Sequence, residues 1–204
     1  KQKTAYEIYQ CDWSSDVCSS DLNLKSLKEN FLKSLINDIS RREILEVLIR
    51  QSALLIKEDP SYGVFATRVL NELIENEVSQ QNIISFSDAI SLGFSQNLLT
   101  SNINSFVNEN KDVLNNAINH KYTSLFSYFG LSTVYDRYLL RHPTLRVVIE
   151  RPQYLFMRVA CGVYQDTKQA IELYNLLASF DYMPGSPTLF NSGSKNPQLS
   201  SCFL

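Results

Sequence analysis

The sequence predicts a mainly α-helical protein, and three observations carry that expectation. Apolar residues recur at three- and four-residue spacing through much of the chain, and helix-start signals stand in front of those runs. A third stretch, Gln153 to Tyr164, is apolar on nearly every side, through Tyr154, Leu155, Phe156, Met157, Val159, Ala160 and Cys161. A single apolar stripe marks a helix lying on a core, and all-round apolarity marks a helix inside one.

Taken in order, the chain begins with an irregular stretch. Cys11 to Leu22 repeats Ser-Ser-Asp and shows neither helical nor strand periodicity. Its end, Asp16-Val17-Cys18-Ser19-Ser20-Asp21-Leu22, resembles a common sequencing-library adapter read in frame. Residues 11–22 are therefore set aside from fold reasoning as a cloning or assembly artefact, with a genuine flexible loop as the alternative. Helical spacing then starts with Leu24, Leu27, Phe31, Leu32, Leu35 and Ile36. Ser40 followed by Glu43 is a capping box, in which each side chain satisfies a backbone N–H left free at a helix start. Ile44, Val47, Leu48, Leu54 and Leu55 supply the apolar face of that helix, expected over 40–57. Asp59-Pro60 stops it, because proline disfavours a helical residue before it. A helix over 61–77 follows, with Tyr62, Phe65, Ala66, Val69, Leu70, Leu73 and Ile74 on one side.

Residues 82–121 are rich in Asn and Ser, with short apolar pairs such as Leu98-Leu99 and Val113-Leu114. They read as short helices with polar connections, with a candidate boundary near Gln80 to Phe86. Tyr128-Phe129-Gly130 is an aromatic cluster ending in a hinge residue. Arg151-Pro152 opens the buried helix, expected over 153–164, since proline is tolerated in a first turn. Asp166 with Gln169 caps another helix, expected over 166–179, with Ala170, Leu173, Tyr174 and Leu177 inside. Met183 to Gly193 is a loop punctuated by Pro184, Gly185 and Pro187, and Leu199 to Leu204 begins a strand. The hydroxyls and free N–H groups of that loop suit an anion such as phosphate, and an ordinary loop leading into a strand has the same composition.

Bulk properties narrow the function classes. The chain has 204 residues, 44% of them hydrophobic, which allows one or two domains. A net charge of −2 leaves no basic patch for nucleic acid. No apolar run approaches the length of a membrane span, and Lys1 to Gln10 is too polar for a signal peptide. The expectation is a cytoplasmic protein that binds neither membrane nor nucleic acid. Its four cysteines, Cys11, Cys18, Cys161 and Cys202, form no C-x-x-C pair, and there are two histidines, so no metal site is expected. Cys161, on the all-apolar helix, reads as a packing residue.

The tail carries a resemblance. Ser186-Pro187-Thr188-Leu189-Phe190-Asn191-Ser192-Gly193 followed by Pro197-Gln198-Leu199-Ser200-Ser201-Cys202-Phe203-Leu204 closely resembles the start of the active-site barrel in large subunits of class I ribonucleotide reductase. Tyr128-Phe129-Gly130, Tyr138-Leu139-Leu140, Glu150-Arg151-Pro152-Gln153 and Met157-Arg158-Val159-Ala160 fit the same family in the same order. Residues 23–81 resemble, more weakly, the later helices of the ATP-cone, best at Asp59-Pro60-Ser61-Tyr62 and Ala66-Thr67-Arg68. The opening hairpin of the cone has no counterpart, and Leu45 stands where the family often has a polar nucleotide contact, which counts against an ATP or dATP effector here.

The resemblance implies a mainly α N-terminal fragment that ends at the first strand of an α/β barrel. Residues 1–22 are then artefact or disordered, 23–81 partial ATP-cone helices, 82–121 a helical connection, 122–201 the all-α N-terminal domain, and 202–204 the start of the barrel. It implies radical reduction of ribonucleoside diphosphates to deoxyribonucleoside diphosphates for DNA synthesis. A separate metal-containing small subunit supplies the radical, and the large subunit itself binds no cofactor. A thiyl radical takes hydrogen from the ribose 3′ carbon, water leaves the 2′ carbon, and two cysteines supply two electrons as they pair. Cys202 matches one of that redox-active pair, and Ser186 and Ser201 match substrate-contacting positions. The thiyl cysteine and the second redox cysteine match nothing within these residues, so the fragment alone is expected to be inactive. The implied partners are the small subunit, the diphosphate substrate, thioredoxin or glutaredoxin, and a second copy of the full-length subunit. Two other readings fit parts of the pattern. A bare nucleotide-sensing or interaction module has no need of Ser201-Cys202. A cobalamin-dependent reductase shares the loop and the cysteine, but Tyr128-Phe129-Gly130 and its spacing to Arg151-Pro152 favour the class that depends on a metal subunit.

Overall fold

Capping and apolar spacing build the observed helices almost where they are expected. The computed structural model describes Leu27, Phe31, residues 39–196 and residues 198–202. The stretch 11–22, with Cys11 and Cys18, lies outside the described residues, as do most of 23–36. Described helices are α1 (Arg41–Leu55), α2 (Ser61–Ser79), α3 (Phe86–Ser95), α4 (Ser101–Glu109), α5 (Lys111–Ala117), α6 (Tyr128–Thr133), α7 (Pro152–Val163), α8 (Thr167–Ala178) and α9 (Ser186–Asn191). A 3-10 helix, His120–Leu125, and a π-helical turn, Val134–Tyr138, complete them. Among the described residues β structure is limited to two isolated antiparallel bridges, Leu99 with Ser194 and Arg141 with Val148. None of the described helices is long and apolar enough to cross a membrane.

The chain divides into two compact units. One comprises residues 1–73 and 127–129, the other residues 74–126 and 130–204. In the first, the Ser40–Glu43 capping box forms as expected, with Glu43 accepting from the Ser40 N–H at 2.8 Å. The core side of α1 consists of Ile44, Leu45, Leu48, Ile49, Ser52 and Leu55. Leu54, expected on that face, is 65% exposed. At 100° per residue, Leu54 lies off the stripe that runs through 44, 48, 52 and 55, whereas Leu45 lies on its flank. Leu27, Leu55 and Tyr62 form a buried cluster with Ile56 and Phe65 against it. Asp59 also starts α2, because its carboxylate accepts from the Ser61 N–H at 2.8 Å.

In the second unit α7 is the central element. It touches α3, α4, α8, α9, the 3-10 helix and the π turn, and every residue from Pro152 to Cys161 is buried. Burying a Phe156 or Met157 side chain stabilises by about 1.5–3 kcal/mol, and Phe156 is joined by Phe126 and Phe180 in an aromatic group. Asp166 caps α8 by accepting from the Gln169 N–H at 2.9 Å. The Asn- and Ser-rich stretch forms α3, α4 and α5, and Ser85 with Asp88 makes a second capping box that the apolar pattern does not announce.

Three local expectations are corrected. The supposed loop 183–193 contains α9, because Pro187 falls in a first turn, where its missing N–H costs nothing. Tyr128-Phe129-Gly130, expected as a cluster ending in a hinge residue, forms the first turn of α6. Residues 198–202 form no β-ladder, since a strand needs a neighbour to pair with.

Candidate active site

The segment that carries Ser186, Ser201 and Cys202 is held from beneath by a buried ion pair. Arg158 and Glu150 have side chains 0% and 2% exposed, joined by two parallel bonds of 3.0 and 2.9 Å. This fork-on-fork geometry suits guanidinium and carboxylate planes. Arg158 also donates to the carbonyls of Ser192, at 2.8 Å, and Leu189, at 3.3 Å. Glu150 accepts from the Leu140 N–H at 2.9 Å. One guanidinium thus ties α7 to the end of α9.

Backbone contact fixes the next residues. Gly193 accepts from the Thr100 N–H at 3.1 Å, the Lys195 N–H donates to Leu98, and the Ser192 hydroxyl donates to Val159 at 2.8 Å. Gly193 has φ +76°, a left-handed conformation that glycine adopts without cost. Gly162 lets this turn press against α7: a Cβ there would lie 2.7 Å from the Ser192 carbonyl carbon and nearer still to the Ser192 hydroxyl and the Gly193 nitrogen. Replacing Gly162 with alanine sets a helix-propensity gain of about 1 kcal/mol against an overpacking cost of about 3 kcal/mol or less. A net loss of about 1–2 kcal/mol is expected in urea unfolding; equal or greater stability would show that the turn is free to move.

Beyond Gly193 the chain doubles back along α9. Asn191 donates to the Gln198 carbonyl at 2.6 Å, and Thr188 donates to that of Leu199 at 3.1 Å. Ser201 then comes beside Gly185, 3.9 Å from where a Cβ of Gly185 would stand. The fold therefore brings Ser201 next to the residue preceding Ser186. Cys202 is exposed, with its Sγ 3.8 Å from the Ser201 hydroxyl. Ser186 is exposed too, and its hydroxyl lies 2.8 Å from the Tyr138 phenol. A thiol and two hydroxyls thus share one exposed edge, where they can meet a polar ligand as donors and acceptors.

Cys161 has the opposite setting. It is fully buried, and burial pushes its thiol up to about 12. That agrees with its reading as a packing residue. Among the described residues no three His, Cys, Asp or Glu side chains gather as metal ligands do. Sequence reasoning places Tyr138, Glu150 and Arg158 in matching motifs without giving them a role. For Arg158 a signal exists: a single charge in the middle of an all-apolar helix demands a buried acid. For Tyr138 there is none, because its partner is 48 residues away.

Comparison with known proteins bears on the same region. Residues 124–197 match the family described as ribonucleotide reductase, all-alpha domain. The chain is 30% identical over 184 residues to a ribonucleoside-diphosphate reductase large chain of Encephalitozoon cuniculi, covering 90% of this chain and 23% of that protein. It is 31% identical over 179 residues to the large subunit of Vaccinia virus, covering 85% and 23%. A large chain of Saccharomyces cerevisiae is 31% identical over 186 residues, covering 86% and 21%. The chain therefore spans less than a quarter of the length of these relatives.

Proposed function

Because residues 124–197 match the ribonucleotide reductase all-alpha domain and the chain is 30% identical over 184 residues to a large-chain relative, we propose that it belongs to the large-subunit family and works as part of a ribonucleoside-diphosphate reductase. The observation that supports this best is the exposed Cys202 thiol, 3.8 Å from the Ser201 hydroxyl, on a segment anchored by the buried Arg158–Glu150 pair. A reducing cysteine must meet both substrate and an external dithiol, so it has to be accessible and yet held in place.

In this reading Cys202 is half of the redox pair, and Ser186 and Ser201 donate to substrate oxygens. The two thiols of the pair give up two electrons and two hydrogens and become a disulfide; the substrate's 2′-hydroxyl leaves as water and a hydrogen takes its place. The radical that starts the reaction is supplied by a small, metal-containing subunit. Thioredoxin or glutaredoxin returns the disulfide to thiols, and the complete subunit pairs with a second copy in the cytoplasm. Residues 23–81 serve as the later part of an ATP-cone, 82–121 as a helical connection, and 122–201 as the all-α domain leading to the barrel. The core position of Leu45, 0% exposed, argues against an ATP or dATP contact at that point of α1.

The test is deoxynucleoside diphosphate formation. The complete subunit carrying these residues, with a radical-supplying partner and a dithiol, is expected to form product. The 204 residues alone are expected to form none, since neither the hydrogen-abstracting cysteine nor a second redox cysteine is matched within them. Product from the 204 residues alone would overturn the assigned roles, and no product from the complete subunit would overturn the function.

A further inference from the structure

We propose that Tyr138 is a positioning residue for substrate binding, one that orients the Ser186 hydroxyl as a donor toward the substrate's anionic oxygens. The inference rests on the reading of Ser186 as a substrate contact.

The geometry is specific. The Tyr138 phenol lies 2.8 Å from the Ser186 hydroxyl, and its ring stacks on Phe190 with centroids 4.5 Å apart and planes 18° from parallel. Ser186 and Phe190 are four residues apart on α9, so they stand on one face of it. The tyrosine therefore spans that face, with its ring over one residue and its hydroxyl on the other. Tyr138 is the last residue of the π-helical turn, which is closed by the Leu139 N–H donating to the carbonyl of Val134, five residues back, at 3.0 Å. Such turns are rare and occur often at functional sites.

The turn is held by its surroundings. Arg141 donates to the Tyr135 carbonyl at 2.7 Å and lies over the Tyr135 ring, 4.6 Å from its centroid. The Tyr135 hydroxyl donates to the buried Glu77 at 2.8 Å, and Glu77 also accepts from the Val148 N–H at 2.8 Å. Burial, followed by the bond to Glu77, pushes the Tyr135 phenol up to about 12, so it stays protonated and able to donate. Tyr138 thus projects from a braced frame onto an exposed serine.

Direction of the bond decides what Ser186 can hold. A serine hydroxyl has one hydrogen to give and two lone pairs to accept with. If Ser186 gave its hydrogen to Tyr138, it would offer lone pairs to the ligand and repel an anion. If Tyr138 gives its hydrogen to Ser186, the serine hydrogen is free for a substrate oxygen, and the two bonds strengthen one another in series. A diphosphate substrate requires the second arrangement.

The experiment uses the complete large subunit with its radical-supplying partner, and cytidine diphosphate as substrate. Tyr138→Phe keeps the ring on Phe190 and removes the hydroxyl alone. Loss of one neutral hydrogen bond predicts a rise in KM of roughly three- to tenfold, with the loss falling on KM rather than kcat. Ser186→Ala should raise KM at least as much. The double variant Tyr138→Phe/Ser186→Ala should be no worse than Ser186→Ala alone, because the phenol acts through the serine. Unfolding midpoints of all three, equal to that of the parent, separate this from a packing defect. An unchanged KM in Tyr138→Phe alongside a raised KM in Ser186→Ala overturns the role of Tyr138 and leaves the substrate contact standing. Additive effects in the double variant also overturn it. An unchanged KM in Ser186→Ala overturns the substrate contact itself, and the inference with it.

Discussion

Replacing Arg158 with methionine is expected to destabilise the helical unit by about 3–5 kcal/mol, well above the cost of Gly162→Ala. The substitution keeps most of the side-chain volume and removes four donated bonds. Glu150, 2% exposed, would keep the Leu140 N–H as its remaining bonded partner, with its charge uncompensated. The carbonyls of Leu189 and Ser192 would lose a donor as well, at about 1–3 kcal/mol for each buried group left unsatisfied. Replacing both members, Arg158→Met with Glu150→Leu, should recover part of the loss, since removing a whole buried pair is far less damaging than breaking one. Recovery stays incomplete because the backbone groups remain unbonded. Urea unfolding followed by far-UV circular dichroism measures the first effect, and protease cleavage between 193 and 202 reports release of the segment above Arg158. A loss below about 1 kcal/mol for Arg158→Met would mean that the pair is open to water and not an anchor.

Turnover that depends on a dithiol is expected to collapse in Cys202→Ser and to survive in Cys161→Ala. Serine at 202 keeps the shape of cysteine but cannot pair with a second sulfur, so the complete subunit should form less than about one deoxynucleotide per enzyme. Cys161→Ala should cost about 1 kcal/mol of packing and leave the reaction rate close to that of the parent, because Cys161 is fully buried on α7, away from solvent. The difference can also be read from the chain itself. Iodoacetamide followed by peptide mapping should label Cys202, which is exposed, and spare Cys161, which is fully buried with its thiol pushed up to about 12. Normal turnover in Cys202→Ser would remove the redox role from this residue.

The elements legible without coordinates are those written in short-range chemistry. The Ser40–Glu43 box, proline at the start of α7 and the Asp166 cap each involve residues within four positions, and each stands where it is expected. The same holds for the buried character of Pro152 to Cys161, which follows from the absence of a polar face. Where the expectation fails, the cause is also physical. Met183 to Gly193 looks like a loop because Pro184, Gly185 and Pro187 are helix breakers on average, while α9 uses Pro187 in the one turn that tolerates it and gains its stability by packing on α7. Leu54 and Leu45 are the same residue type, and the side of α1 that meets the core buries one and exposes the other.

Spacing and caps make the mainly helical character and the starts of the longer helices legible, and Ser186, Ser201 and Cys202 stand in stretches that resemble the reductase family. Tertiary structure alone decided how those stretches are held. The Gly162–Ser192 approach, the Glu77–Tyr135 bond across 58 positions and the Tyr138–Ser186 bond across 48 join segments that share no local signal, whereas the lone charge of Arg158 in an apolar helix signals a buried acid without naming Glu150. The reason is that helix caps and apolar periods act over a few residues and leave a trace in their spacing. A polar contact between distant segments leaves no such trace, because its geometry exists only after the intervening chain has packed.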